Sequence, residues 1–195
     1  EGEQEIFSLD EMIKIWDPSR ISKSPAIFDP LKLRAINAAY IRALPAEEFR
    51  RLADPFIDSA VHCDIDRDLL CANLQPRCEV LEDIPPQLDF FDAVLPIDAE
   101  MYRNKKQKTT PESAKEALTA LLPVLEAQTD WTRDAIFEAC KTLAEKMEKK
   151  NGWLLFPLGI ALSGKARTPG GGTDLAAMMG REETLARVKA ALEKL

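Results

Sequence analysis

Histidine is almost missing from this chain: His62 is the only one in 195 residues, and glycine, at eight, is scarce too. With one imidazole and no paired motif near it, neither a Ser/His/Asp nor a Cys/His relay can be assembled. The four cysteines, Cys63, Cys71, Cys78 and Cys140, lack the C-x-x-C spacing of a zinc site. Any metal would need carboxylates or all the thiols, so no metal is expected and the cysteines read as reduced side chains. No run approaches the roughly 18 uncharged apolar residues needed to span a bilayer. The amino terminus is acidic rather than basic and apolar, as a secretion signal would be. A soluble, cytoplasmic chain that makes no membrane contact is expected. The 33 acidic residues fall on mostly exposed faces with no pair singled out, so no catalytic residue is assigned.

What is present points to helices. Hydrophobic residues make up 46% and charged residues 30% of the chain, and the apolar positions recur at spacings of three and four. The expected class is all-α. The net charge of −7 argues against general nucleic-acid affinity, yet it is unevenly spread. Residues 141–195 hold ten lysines and arginines against six acids, a balance of +4, which leaves −11 for residues 1–140. A basic end on an acidic chain suits a protein that touches phosphates through one surface. Position 1 is Glu, and an amphipathic pattern starts within a few residues, as expected of a piece of a longer chain.

Ser8-Leu9-Asp10-Glu11 has capping-box form, and Leu9, Met12, Ile13 and Trp16 then share a helical face until Asp17-Pro18. Asp29 caps a second helix with Pro30 at its first position and Leu33, Ile36 and Tyr40 on the side expected to be buried. From 46 to 97, Pro55, Pro76, Pro85, Pro86 and Pro96 divide the chain into brief helical patches. Thr110-Pro111-Glu112 opens a longer helix burying Ala114, Ala117, Leu118, Leu121 and Leu125. Another starts near Thr132, turns Ile136, Cys140, Leu143 and Met147 inward, and is expected to end at Asn151-Gly152. The apolar stretch from Trp153 to Pro157 must be buried. A glycine-rich loop at 165–172 precedes a short helix that Thr173 should cap and Gly180 should end. A last helix presents Leu185, Val188, Leu192 and Leu195.

Two motifs resemble nucleotide sites and fail on their context. Gly159 to Lys165 matches the G-x-x-x-x-G-K half of a phosphate loop, but Ala166 replaces the Mg²⁺-holding hydroxyl and the preceding segment reads as helix. Arg20-Ile21-Ser22-Lys23-Ser24 echoes the Lys-Met-Ser-Lys-Ser loop of class I aminoacyl-tRNA synthetases, without the glycine-rich strand-to-helix turn such a loop works beside.

A broader resemblance runs along the chain. Ser8 to Ile13, Ser22 to Asp29, and Lys32-Leu33 through Asn37 to Tyr40-Ile41 are similar to glutamyl-tRNA synthetase just beyond its catalytic loop. Leu74-Gln75-Pro76-Arg77 resembles a short Arg-Pro-Arg-Phe stretch of that family. Pro157-Leu158, Ala161 to Gly164, Thr168-Pro169 and Met179 to Arg187 resemble its closing motif. The resemblance implies a stem-contact element at 1–44 followed by two helical anticodon-binding domains, at 45–98 and 99–195, in tandem.

It further implies tRNA as partner, glutamate-specific, with Arg77 on the third anticodon base. Thr168 and Pro169 would meet the other bases, with Lys165 and Gly159 beside them. Lys23, Lys32 and Arg34 would touch the tRNA stem. An arginine suits such a role because its planar fork donates in pairs to base edges. This chain departs from the family at Gly159, where an arginine is common, at Gly171, where a larger apolar residue is usual, and at Cys78, where Phe follows the arginine. No cofactor is expected within these residues. ATP and Mg²⁺ would belong to a catalytic domain before Glu1 in a glutamate–tRNA ligase, and a monomer is expected. The alternative reading is a helical protein-interaction module of a divergent synthetase paralogue.

Overall fold

The computed structural model describes residue 4, residues 6–21 and residues 27–195. Among the described residues the regular structure is helical, apart from an isolated antiparallel bridge between Asn104 and Thr109. The α-helices are α1 (Leu9–Ile15), α2 (Pro30–Ala43), α3 (Ala46–Asp58), α4 (Arg67–Leu74), α5 (Pro111–Ala127), α6 (Arg133–Lys146), α7 (Asn151–Ser163), α8 (Gly172–Met179) and α9 (Arg181–Lys194). Between α4 and α5 the chain passes through 3-10 turns at Gln75–Arg77, Leu81–Asp83, Pro85–Gln87 and Ala99–Tyr102. The all-α class is what the spacing of apolar residues indicated. None of these helices is long and apolar enough to cross a membrane.

Several starts follow from their caps. Ser8 and Glu11 bond reciprocally ahead of α1, and the Asp29 carboxylate accepts from the amides of Leu31 and Lys32 at 2.9 and 3.2 Å. Thr110 and Ser113 form a capping box at α5, and Thr132 accepts from Ala135 at α6. The centre of the carboxyl-terminal half is α7, whose sequence is apolar all round and which packs against α5, α6, α8 and α9. The buried side chains form one continuous core from Ile41 to Ala191, so the helices before and after residue 98 share their packing. Arg187 joins the two sides. With a side chain only 4% exposed, it donates to the carbonyls of Phe90 and Leu162 (both 2.7 Å) and of Phe91 (2.6 Å), and pairs with Glu183.

The structure corrects the expected pattern in four places. Leu33 and Tyr40 are 52% and 43% exposed, and α2 buries Ala38 and Ile41 instead. The Leu33–Tyr40 face has no helix laid over it among the described residues; Tyr40 donates its hydroxyl to the Phe7 carbonyl. Pro55 does not divide two helices but lies inside α3 on its exposed face, where the carbonyl it leaves without a donor can turn to water. Nor do Asn151 and Gly152 end α6. Glu148, at φ 54°, turns the chain in a left-handed cap, with its own amide on Glu145 and the Lys149 amide on Ala144, and Asn151 then begins α7. Thr173 lies within α8 and is buried; the Asp174 carboxylate takes the Gly171 amide at 2.7 Å ahead of the helix.

Candidate nucleic-acid interface

Arg77 sits where α4 runs into the Gln75–Arg77 turn, and this turn is held from three sides. The Gln75 side-chain amide donates to the carbonyls of Ile41 (3.0 Å) and Leu44 (2.8 Å), closing the end of α2. Asn37 donates to the Glu79 carbonyl at 2.6 Å, and Arg34 bonds the Glu79 and Asp83 carboxylates, which raise its already high pKa. Cys78 is buried directly after Arg77, its thiol on the Val80 carbonyl at 3.2 Å and its pKa pushed up to about 11 by burial. A small buried thiol thus anchors the turn. Arg77 itself is exposed, and one of its N–H groups donates to the Thr168 carbonyl at 3.3 Å. The rest of its fork has no other partner among the described residues.

The Thr168 loop approaches from the other half of the molecule. Gly164, at φ 68°, ends α7 in the left-handed conformation and gives its amide to Ile160 at 2.8 Å. The Ser163 hydroxyl then donates to Gly159 and accepts from the Lys165 amide, while Thr168 donates to the Gly170 carbonyl at 2.6 Å. Pro169 is buried beneath it. The loop lies close to α7 because residue 172 is glycine: a Cβ there would stand 2.6 Å from the Leu155 carbonyl oxygen and 3.0 Å from the Gly159 nitrogen.

Between loop and helix opens a pocket of about 140 Å³, lined by Leu155, Phe156, Gly159, Ile160, Lys165, Thr168 and glycines 170–172. Two of its glycines are not demanded by packing. At Gly159 an added Cβ would make only ordinary contact, at 3.7 Å, and at Gly171 it would meet only the Asp174 carboxylate, at 3.3 Å. At these two positions the smallest residue leaves the pocket open.

The structure therefore brings Arg77, Thr168, Pro169, Lys165 and Gly159 to one place. Lys165 turns its ammonium inward, donating to the Pro86 carbonyl at 2.8 Å, pairing with Asp89 and lying 6.0 Å from the centre of the Phe90 ring. It ties the Thr168 loop to the half of the molecule that carries Arg77. The phosphate-loop likeness ends here too, since residues 159–163 are the last turns of a helix. Lys32 is exposed on α2, and Arg34 is engaged with the segment after Arg77. Lys23 and the rest of Ser22–Ala26 lie outside the described residues.

Sequence reading missed Pro86, Asp89 and Arg187, which hold the two halves of the site together. Only Arg187 carried a local signal, a helical arginine four residues after a glutamate. Among the described residues no group of three His, Cys, Asp or Glu side chains is placed to hold a metal ion. His62 pairs with Asp92, whose carboxyl is held far below the usual range by the His62 ring and the amides of His62 and Cys63.

A family model described as an anticodon binding domain matches residues 33–192. A glutamate–tRNA ligase of Clostridium botulinum (strain Hall) is 44% identical over 194 residues, covering 100% of this chain and 40% of the relative. One from Clostridium acetobutylicum is 41% identical over 196 residues, with the same coverage. The chain thus spans about 40% of the length of the curated relatives it matches. The crystal structure of a glutamate tRNA ligase from Elizabethkingia meningosepticum, in complex with its amino acid, superimposes with a TM-score of 0.83 at 27% identity, covering 98% of this chain and 38% of that one. A glutamate-tRNA synthetase structure from Elizabethkingia anophelis has a TM-score of 0.78 at 24% identity, covering 97% and 37%, and agrees in fold.

Proposed function

Because the chain belongs to the anticodon binding domain family, we propose that it is the tRNA-reading part of a glutamate–tRNA ligase, with Arg77 and the Thr168–Pro169 loop as its anticodon site. The observation that carries this reading is the meeting of Arg77 with Thr168 across 91 residues of sequence, beside an open pocket. Unpaired bases are recognised by hydrogen bonds to their edges and by flat or apolar surfaces against their faces. Arg77 supplies a largely free donor fork, the loop supplies backbone carbonyls, and Leu155, Phe156 and Ile160 supply apolar walls. Arg77 reads the third anticodon base. Gly159 leaves the neighbouring base to be selected by shape and backbone groups rather than by a second arginine. Lys165 acts by fixing the loop, Lys32 and Lys23 are assigned to the tRNA stem, and Arg34 steadies the Arg77 turn.

In this reading residues 1–44 are the stem-contact element, and 45–98 and 99–195 are the two anticodon-reading units of a monomeric, cytoplasmic ligase. The ligase attaches glutamate to tRNA at the expense of ATP. ATP and Mg²⁺ serve its adenylating part, and no residue of this chain is assigned to them. Anticodon contacts so far from that chemistry act as remote binding energy that orients the RNA. Among the described residues all the exposed large apolar side chains lie between Ile6 and Tyr40, and this strip packs against the rest of the ligase.

The test is a titration of the protein with glutamate tRNA and with a copy altered only in the anticodon. Preference for the native anticodon, with affinity falling steeply as salt rises, is the expected result. Equal affinity for both RNAs would remove the anticodon assignment. Binding that ignores salt would favour the protein-interaction module.

A further inference from the structure

Lys106, Lys108, Lys149 and Lys150 line a cleft of about 350 Å³ together with Gln107, Glu148 and Trp153, and Lys105 and Lys146 flank them in sequence. None of these six lysines has an ion-pair partner among the described residues, whereas Lys141, Lys165 and Lys189 are each matched to a carboxylate. In a chain of net charge −7, the four lysines that line the cleft outnumber its one carboxylate, Glu148, and repel one another unless a further anion joins them.

The walls of the cleft are set by backbone hydrogen bonds. Asn104 and Thr109 exchange both amide–carbonyl bonds at 3.0 Å, and the Asn104 side chain accepts from the amides of Lys106 and Gln107 at 3.0 and 3.1 Å. The opposite wall is the left-handed cap at Glu148. Gln107 lies flush on the first turn of α7 because residue 152 is glycine; a Cβ there would come within 1.8 Å of its side-chain oxygen. Lys149 stands 5.2 Å from the centre of the Trp153 ring. A site whose walls are already formed loses little freedom when it is filled.

Its position relates it to Arg77 and Thr168. Gly152, at the cleft, and Gly159, in the pocket, are seven residues apart on α7, which puts them on one face and about 10 Å apart along the axis. That span is about three nucleotides at the ~3.4 Å rise of a stacked strand. We infer that the Lys106–Lys150 cleft is a second RNA contact, gripping the sugar–phosphate backbone of the strand that leaves the anticodon pocket. It takes phosphates of any sequence, so it adds affinity and fixes direction while Arg77 supplies selection. A small anion would meet only part of this charge, and an extended polyanion meets all of it. The inference rests on the anticodon reading.

The experiment measures affinity for glutamate tRNA and for its anticodon-altered copy over a range of salt. It compares the unaltered protein, Lys106→Gln/Lys149→Gln/Lys150→Gln, and a control, Lys141→Gln/Lys189→Gln/Lys194→Gln, that removes equal charge elsewhere. The cleft variant is expected to bind both RNAs about tenfold or more weakly by the same factor, with a salt slope smaller by about two, since each neutralised phosphate accounts for roughly 0.7–0.9 of that slope. The control should change the slope by much less. All six lysines are outside the buried core, so thermal melting of both variants should match the unaltered protein. If the unaltered protein prefers the native anticodon but the cleft variant keeps its slope and affinity, the inference is overturned and the anticodon reading stands. A changed anticodon preference in the cleft variant would also overturn the backbone role. If the unaltered protein binds neither RNA at low salt, both fail together.

Discussion

Two stretches of this chain carry apolar faces of similar sequence quality and meet opposite fates. In α1, α2 and the segments around them, Leu9, Trp16, Phe28 and Leu31 stand 65–78% exposed. In α5 to α9 the corresponding positions, Leu118, Leu121, Leu158 and Val188, are fully buried. The period of an amphipathic helix reveals which face is apolar, and it says nothing about what lies opposite. In the carboxyl-terminal half each helix finds another to cover it within the chain. Among the described residues, the large apolar side chains at 6–40 are left outside the core, and that segment is tied by polar contacts such as Tyr40 to Phe7 and Arg34 to Glu79.

Substitutions sharpen that contrast. The largest loss is expected for Arg187→Met, which leaves three buried carbonyls without their donor: about 3–5 kcal/mol less stability by urea unfolding. Leu158→Ala should cost about 2–5 kcal/mol through the cavity it leaves, while Leu31→Ala, at a side chain 78% exposed, should stay within about 0.5 kcal/mol. Equal losses at positions 158 and 31 would abolish the distinction.

Alkali should act on the buried core, where Cys71, Cys78 and Cys140 lie on both sides of residue 98, and not on the 6–40 strip. Burial raises the thiols of Cys71 and Cys78 to about 11 and that of Cys140 to about 12, from 9.0. Groups raised in the folded state add stability that is intact below pH 9 and lost as pH climbs through 11 to 12. The urea midpoint should therefore hold steady up to pH 8 and fall above 9, less steeply in Cys140→Ala than in the unaltered protein. The smallest effect belongs to the strip: Phe28→Ser should reduce binding of an apolar fluorescent dye without moving the unfolding midpoint. A shifted midpoint would mean that Phe28 is packed.

Helix starts were legible because a cap is a local device: Ser8, Asp29, Thr110 and Thr132 each sit next to the amides they satisfy. The end of α6 was not, because Glu148 adopts a conformation that glycine or asparagine usually announces. For the candidate site, Arg77 and Thr168-Pro169 stand out through resemblance to a family rather than through spacing, since residues so far apart leave no periodic trace. The inward turn of Lys165 toward Pro86 and Asp89 was out of reach for the same reason, as its partners are set by how two halves of the chain pack.

The most direct test of the central claim is the ratio of affinities for glutamate tRNA and for a copy altered at the third anticodon base, measured with the unaltered protein and with Arg77→Gln. A paired arginine–base contact supplies about 1–3 kcal/mol of discrimination, so the ratio should fall by that amount in Arg77→Gln while binding to the altered RNA changes little. A ratio that survives the substitution unchanged would place anticodon selection somewhere other than the meeting of Arg77 and Thr168.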